Sequence, residues 1–162
     1  MKGFSLIEIT VVALIAGMAI LIAVPVFRDV LPGARIESAA RRLSAVVNRL
    51  HNEAVFTGTA HSLEVGLESG VYKGFILVPG SEPEVLHGAG GSLPEGVYFS
   101  DVDASGRKYS QGDVGINFAP HGVIDRAIIR IGNDDGRVLS LVIEGYTGRV
   151  RIAEGYVSED FR

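Results

Sequence analysis

Three kinds of hydrophobic patterning follow one another along the chain. From Phe4 to Phe27 nearly every position is apolar, and Glu8 is the sole charge. From Ile36 to Ala54 the apolar residues Ile36, Ala40, Leu43, Val47, Leu50 and Ala54 recur alternately four and three apart, widened by Ala39 and Val46. From about Ala60 the period falls to two, with Leu63, Val65 and Leu67 set around Glu64 and Gly66. The first pattern suits a helix in an apolar medium, the second a helix with one buried stripe, and the third half-buried strands.

A helix crosses ~30 Å of hydrocarbon with about 20 apolar residues at ~1.5 Å each, so the 4–27 run is long enough to span a membrane. Pro25 removes the hydrogen bond to the Leu21 carbonyl, which predicts a kink or local loosening near the outer end. Pro32-Gly33 reads as a further break, at the exit from the span. Glu8 is the costly residue. A charge in the bilayer costs about 2.5–3.5 kcal/mol even on lenient insertion scales, which marks Glu8 as functional.

The striped segment predicts an amphipathic helix over residues 34–58. Glu37, Arg41, Asn48, Arg49 and Asn52 fall on its opposite side, and Gly58 supplies the stop. Beyond it, Glu68-Ser69-Gly70 turns the first strand into a second at Val71–Val78. Pro79 to Pro94 has the composition of a loop. Strands resume at Val97–Phe99, Ile116–Phe118, Ala127–Ile131, Val138–Ile143 and Arg149–Ile152, with turns at Asn133–Gly136 and Tyr146–Gly148. The predicted fold is α+β: a long N-terminal helix packed on an antiparallel sheet of about seven short strands, its stripe covering one sheet face.

Charge and chemistry narrow the function. The whole chain has 15 basic and 19 acidic residues; setting aside Lys2, Arg28, Glu8 and Asp29 leaves 13 against 17 from Ala34 onward. That mild acidity argues against a general polyanion binder, so nucleic acid is not an expected partner. With no cysteine there are no disulfides and no thiolate ligands or nucleophiles. His51, His61, His87 and His121 have no metal-ligand spacing and read as surface or loop residues. Asn133-Asp134-Asp135 reads as a hairpin turn rather than a calcium loop, and Gly88–Gly91 lacks the layout of a phosphate cradle. No carboxylate pair or serine motif singles out a catalytic centre. No enzyme activity, cofactor or metal is expected.

The residues around Glu8 carry a more specific signal. Gly3-Phe4-Ser5-Leu6-Ile7-Glu8 followed by an apolar helix resembles the processing site of type IV prepilins. The resemblance implies a leader at 1–3, cleavage between Gly3 and Phe4 by a prepilin peptidase, and N-methylation of Phe4. It also implies that Glu8 pairs with the terminal amine of Phe4 on a neighbouring subunit, two charges costly alone in hydrocarbon compensating one another. Lys2 before the span, with Arg28 and Asp29 nearly cancelling after it, orients the N-terminus to the cytoplasm. The remainder would then be a periplasmic β-rich domain at 59–162, anchored in the inner membrane through 4–27.

Further on, Phe118-Ala119-Pro120-His121-Gly122, with Thr147-Gly148-Arg149-Val150 two strands later, is similar to GspH minor pseudopilins of type II secretion and to FimT-type minor pilins. This implies a structural subunit near the tip of a pseudopilus, with other major and minor pseudopilins as partners through the N-terminal helix. The alternative is a minor pilin of DNA uptake, to which Gly148-Arg149-Val150-Arg151 is similar. Alternation puts Arg149 and Arg151 on one strand face, where two guanidiniums can grip phosphates. Arg126, Arg130 and Arg137 would have to join them in one patch, while Glu144, Glu154, Glu159 and Asp160 would oppose it.

Overall fold

The computed structural model describes residues 6–158, with the side chains of all but Leu6 and residues 19–32. The chain divides into two compact units, Met1–Ala34 and Arg35–Arg162. Helix α1 runs over Leu6–Thr57 and is followed by nine strands. The break expected at Pro32-Gly33 is absent, so the amphipathic segment is the C-terminal part of α1 rather than a separate helix. A proline removes one intrahelical hydrogen bond, which weakens a helix without forcing an end where both flanks stay helical. Gly58, at φ 65°, ends α1 in the left-handed conformation that glycine adopts without strain.

In the second unit the strands form two antiparallel sheets, where the sequence predicts one sheet of about seven strands. The first has the order β3-β2-β1-β6, from β1 (Ala60–Gly66), β2 (Val71–Leu77), β3 (Glu84–Ser92) and β6 (Asp113–Phe118). The second has the order β5-β4-β7-β8-β9, from β4 (Val97–Ala104), β5 (Arg107–Tyr109), β7 (Ala127–Asn133), β8 (Val138–Ile143) and β9 (Val150–Glu154). Strand β3 lies inside the segment whose composition reads as a loop. Glycines there allow close approach: a Cβ on Gly90 would stand 2.8 Å from the Tyr72 carbonyl oxygen. Pairing to β2, rather than strand propensity, holds this edge.

The predicted stripe is buried. Ile36, Ala40, Leu43, Val47, Leu50 and Ala54 have no exposed surface and join side chains of both sheets in one core. Strand β7 is buried along its whole length, Arg130 included. Its Ile129 and Ile131 belong to the helix-facing core, while Ile128 joins Val142 and Val157 in a smaller cluster. Both faces of β7, in the middle of the second sheet, are therefore covered, one by the helix and the other by the chain after β9.

Candidate functional site

In the first unit, Ile7, Ile9, Val11, Val12, Leu14, Ile15 and Met18 are all largely exposed, Ile7 at 71%. Together with Ala13, Ala16 and Gly17, also exposed, these positions go round the helix, so no rotation of α1 could hide them on one side. Glu8, in the first turn, is exposed among them. A carboxylate there is favoured by the positive end of the helix dipole. The Thr10 hydroxyl donates to the Ile7 carbonyl at 2.8 Å, so this polar group is satisfied within the helix and asks nothing of its surroundings. A contiguous apolar surface of this kind marks a site for another partner or for lipid. Among the described residues no helix is long and apolar enough to cross a membrane. The expected span continues into positions 19–32, whose side chains, Pro25 among them, lie outside the described residues, as do Gly3 and Phe4.

In the second unit, His51 brings the two C-terminal motifs together. Its Nε2 donates to the Gly122 carbonyl oxygen at 3.1 Å, holding the Ala119–Gly122 loop against α1. On the other side of the ring lies Gly148, at φ 65°, where a Cβ would run into His51 Nδ1. Only a glycine fits beneath that ring. The turn it closes is tied internally: Thr147 Oγ1 donates to Glu144 Oε2 at 2.9 Å, and the Arg149 amide donates to Thr147 Oγ1 at 3.2 Å. His51 is thus half-buried rather than a surface residue, and His61, 1% exposed, lies in the core with Nδ1 bonded to the Thr59 carbonyl. The role of His51 has no local signal, since its partners lie 71 and 97 positions away along the chain.

Arg130 is the centre of the opposite face of the second sheet. Its Nη1 pairs with Asp101, while Nε donates at 3.0 Å to the Val157 carbonyl oxygen, which also accepts from Nη2. The Tyr156 ring lies 4.1 Å from the guanidinium carbon and 4.9 Å from Lys108 Nζ, two cation–π contacts on one ring. Lys108 also donates to the Tyr156 hydroxyl and approaches Asp101 at 3.5 Å. That hydrogen bond, against the opposing effect of desolvation and with help from the Asp101 charge, holds the ammonium pKa above its ordinary value. Ser140 Oγ donates to Gly155 O at 2.7 Å and accepts from Val157 N at 3.1 Å. Residues 155–157 are therefore a strap, closed over the sheet by a buried, fully bonded arginine.

This arrangement corrects the basic patch considered from the sequence. Arg130 is buried and paired, and Arg137 bridges Glu37 at 3.4 Å and Glu154 at 3.1 Å. Arg149 and Arg151 are exposed, with Val150 packed against the core between them. Arg151 and Arg126 line a cavity of about 410 Å³ with Val142, Glu144, Thr147 and Val157. Among the described residues no group of His, Cys, Asp and Glu could hold a metal ion.

No family model matches the chain, and no curated protein does. Solved structures do. The minor pseudopilin EpsH from the type 2 secretion system of Vibrio cholerae superposes with a TM-score of 0.59 at 11% identity, over 74% of this chain and 97% of that one. A second structure of EpsH from Vibrio cholerae gives 0.57 at 14% identity, over 77% and 96%. The type IV minor pilin FimU of Pseudomonas aeruginosa gives 0.48 at 21%, over 72% and 87%. The α+β architecture of this chain, a helix against two antiparallel sheets, is the fold it shares with the two EpsH structures.

Proposed function

We propose that the chain is a minor pseudopilin, a structural and non-enzymatic subunit of a type II secretion pseudopilus. The observation that carries this reading is a helix bare and apolar on every side, with one carboxylate in its first turn, in a chain whose domain has a minor pseudopilin fold. On this reading a prepilin peptidase cuts between Gly3 and Phe4, and Phe4 is N-methylated. Residues 4–27 anchor the subunit in the inner membrane, with the domain in the periplasm. In the filament the same apolar surface packs against the helices of other major and minor pseudopilins, and Glu8 takes the terminal amine of a neighbour. Exposure of this surface in the single chain fits a subunit that trades lipid for protein on assembly.

The DNA-uptake reading has less support. Two arginines are favourably placed, but Arg130 and Arg137, which would have to extend the patch, are engaged elsewhere. Two phosphate contacts give a log–log salt slope of only about −2, too little to hold DNA at physiological ionic strength.

N-terminal mass spectrometry tests the first step. Expressed in a host with a prepilin peptidase, the mature protein should begin at N-methylated Phe4. A protein retaining Met1, or cut beyond Ala23, would overturn the proposal.

A further inference from the structure

The edge strands of a sheet carry rows of backbone N–H and C=O groups that can pair with a further strand. Of the edges β3, β6, β5 and β9, the first three are closed or short. On β6 the Asn117 amide donates to Asp125 Oδ2 at 3.2 Å, and the Asp125 amide donates to the Asn117 carbonyl oxygen at 3.0 Å. On β3 the register slips between Lys73 and Phe75, and Arg49 Nη2 donates to the His87 carbonyl oxygen of the displaced segment at 3.2 Å. Such a bulge interrupts the regular row that an added strand needs. Strand β5 has only three residues. Strand β9 is different: it pairs with β8 without a register shift and contains no proline and no lysine.

The register of β9 also says which of its groups point outward. The Glu144 amide donates to the Arg149 carbonyl oxygen at 3.1 Å, and the Gly155 amide donates to the Val138 carbonyl oxygen at 2.8 Å. Antiparallel ladders alternate, so Arg149, Arg151, Ala153 and Gly155 turn their backbone groups to β8, while Val150, Ile152 and Glu154 turn theirs away. Among the described residues no other strand or loop backbone bonds to those outward groups. The side chains alternate as well. Val150 packs on the core, and Ile152 on the same face is left 39% exposed. Arg149 stands exposed on the other face, where the preceding turn uses its amide and not its guanidinium.

We infer that β9 takes an extended strand of another protein, one in which apolar and acidic residues alternate. Main-chain hydrogen bonds at Val150, Ile152 and Glu154 supply the affinity, and the two faces supply the selectivity. An apolar residue of the added strand covers Ile152, and an acidic one meets Arg149. A second copy of this chain fits less well. Pairing β9 with β9 about Ile152 would gather Arg149 and Arg151 of both copies on one face with no acid opposite them. The inference stands apart from the pseudopilin reading, because the edge lies wholly within the second unit.

The probe is a short synthetic peptide of alternating valine and glutamate, added to the full chain in detergent micelles. At saturation, hydrogen exchange at the Val150, Ile152 and Glu154 amides should slow about tenfold or more, with no change along β3. No slowing at millimolar peptide would overturn the proposal. Ile152→Pro removes one outward N–H and leaves the bonds to β8, a position where an edge strand tolerates proline. It should abolish peptide binding in fluorescence anisotropy, and undiminished binding would overturn the proposal. Arg149→Glu, an exposed change that leaves the edge backbone intact, keeps the test open if the proline variant fails to fold. It should weaken this peptide about fivefold and favour one of alternating valine and lysine. An unchanged preference between the two peptides would also overturn the proposal. So would protection of the same three amides in the chain alone at rising concentration, which would give the edge to a second copy.

Discussion

Helix α1 contains two segments of similar apolar content and opposite fate. Between Ile36 and Ala54 the apolar side chains fall on one stripe, and the stripe is fully covered. Between Ile7 and Met18 they fall on all sides and none is covered. The contrast shows what the angular spread of hydrophobic residues encodes. A stripe specifies a partner on one side, which the same chain can supply with a sheet. An all-round surface specifies an apolar surrounding, which no single small domain can supply to its own helix. The packed segment builds the domain, and on the proposed pseudopilin reading the bare segment is what joins the chain to others.

Matched substitutions in the two segments break this comparison most sharply. Leu43→Asp places an unpaired carboxylate in the core and leaves a gap, costing more than about 5 kcal/mol. Since domains are stable by only about 5–15 kcal/mol, the second unit should lose its cooperative unfolding transition. Leu14→Asp should leave that transition in place in the full chain in detergent. On the proposed pseudopilin reading its cost appears instead on membrane insertion, at about 2.5–3.5 kcal/mol. Circular dichroism on heating and a membrane-flotation assay separate the two. Equal loss of folding in both variants would mean that the bare segment belongs to the domain core.

The next effect lies on the far side of the same sheet. Arg130→Ala leaves Asp101 buried beside an unfilled space and frees the Val157 carbonyl, at a cost of roughly 3–5 kcal/mol. Replacing both partners, Arg130→Met with Asp101→Leu, should recover part of that loss, because no unpaired charge is then buried. Chemical denaturation of the two variants measures the difference. The exposed pair Arg41–Glu37, at 3.3 Å on the helix surface, should contribute about 0.3–0.5 kcal/mol by the same method.

How much of this was legible in the sequence follows from the range over which each feature is decided. The stripe, the hairpin β1–β2 and the turn at Asn133–Gly136 are local, and the periodicity finds them. Strand β3 is decided by its neighbour. Its Gly88-Ala89-Gly90-Gly91 has the composition of a loop, yet β2 pairs with it because glycines let the backbones close. Arg130 alternates with isoleucines and reads as a solvent-facing strand residue. Only the strap, folding back from 27 positions later, buries it. His51 is a similar case, an unremarkable polar residue beside the stripe until two distant loops meet it. The motifs around Glu8, by contrast, are specific in sequence, while Gly3 and Phe4 lie outside the described residues.

A smaller effect is expected at Gly148. Gly148→Ala forces a left-handed backbone on a residue with a Cβ and drives that Cβ into His51, a cost of about 1–3 kcal/mol. In a His51→Ala background the clash disappears and only the backbone strain remains. The two substitutions together should therefore cost less than the sum of their separate effects. Strict additivity in denaturation midpoints would mean that the ring and the turn are not in contact, and that the two C-terminal motifs are held together by something else.

The smallest effect on the folded domain, and the most informative about the bare segment, belongs to Glu8→Leu. Glu8 is exposed in the first turn of α1, far along the chain from every residue of the core, so the melting of the second unit should not change. On the proposed pseudopilin reading, membrane insertion should improve, because a charge worth about 2.5–3.5 kcal/mol is removed from hydrocarbon. On the same reading, the proposed processing after Gly3 should continue, since the cut site is untouched. What should fail is incorporation into the filament. The amine of Phe4 on a neighbouring subunit would enter the helix bundle without its carboxylate, and an uncompensated charge in such a place costs roughly 3–5 kcal/mol. Cross-linking of cells carrying the variant should find the processed subunit in the membrane but not in the pseudopilus, with secretion reduced in proportion. If the Glu8→Leu variant assembles and secretes as the wild type does, apolar packing alone recruits the subunit, and the carboxylate has some other role in the first turn.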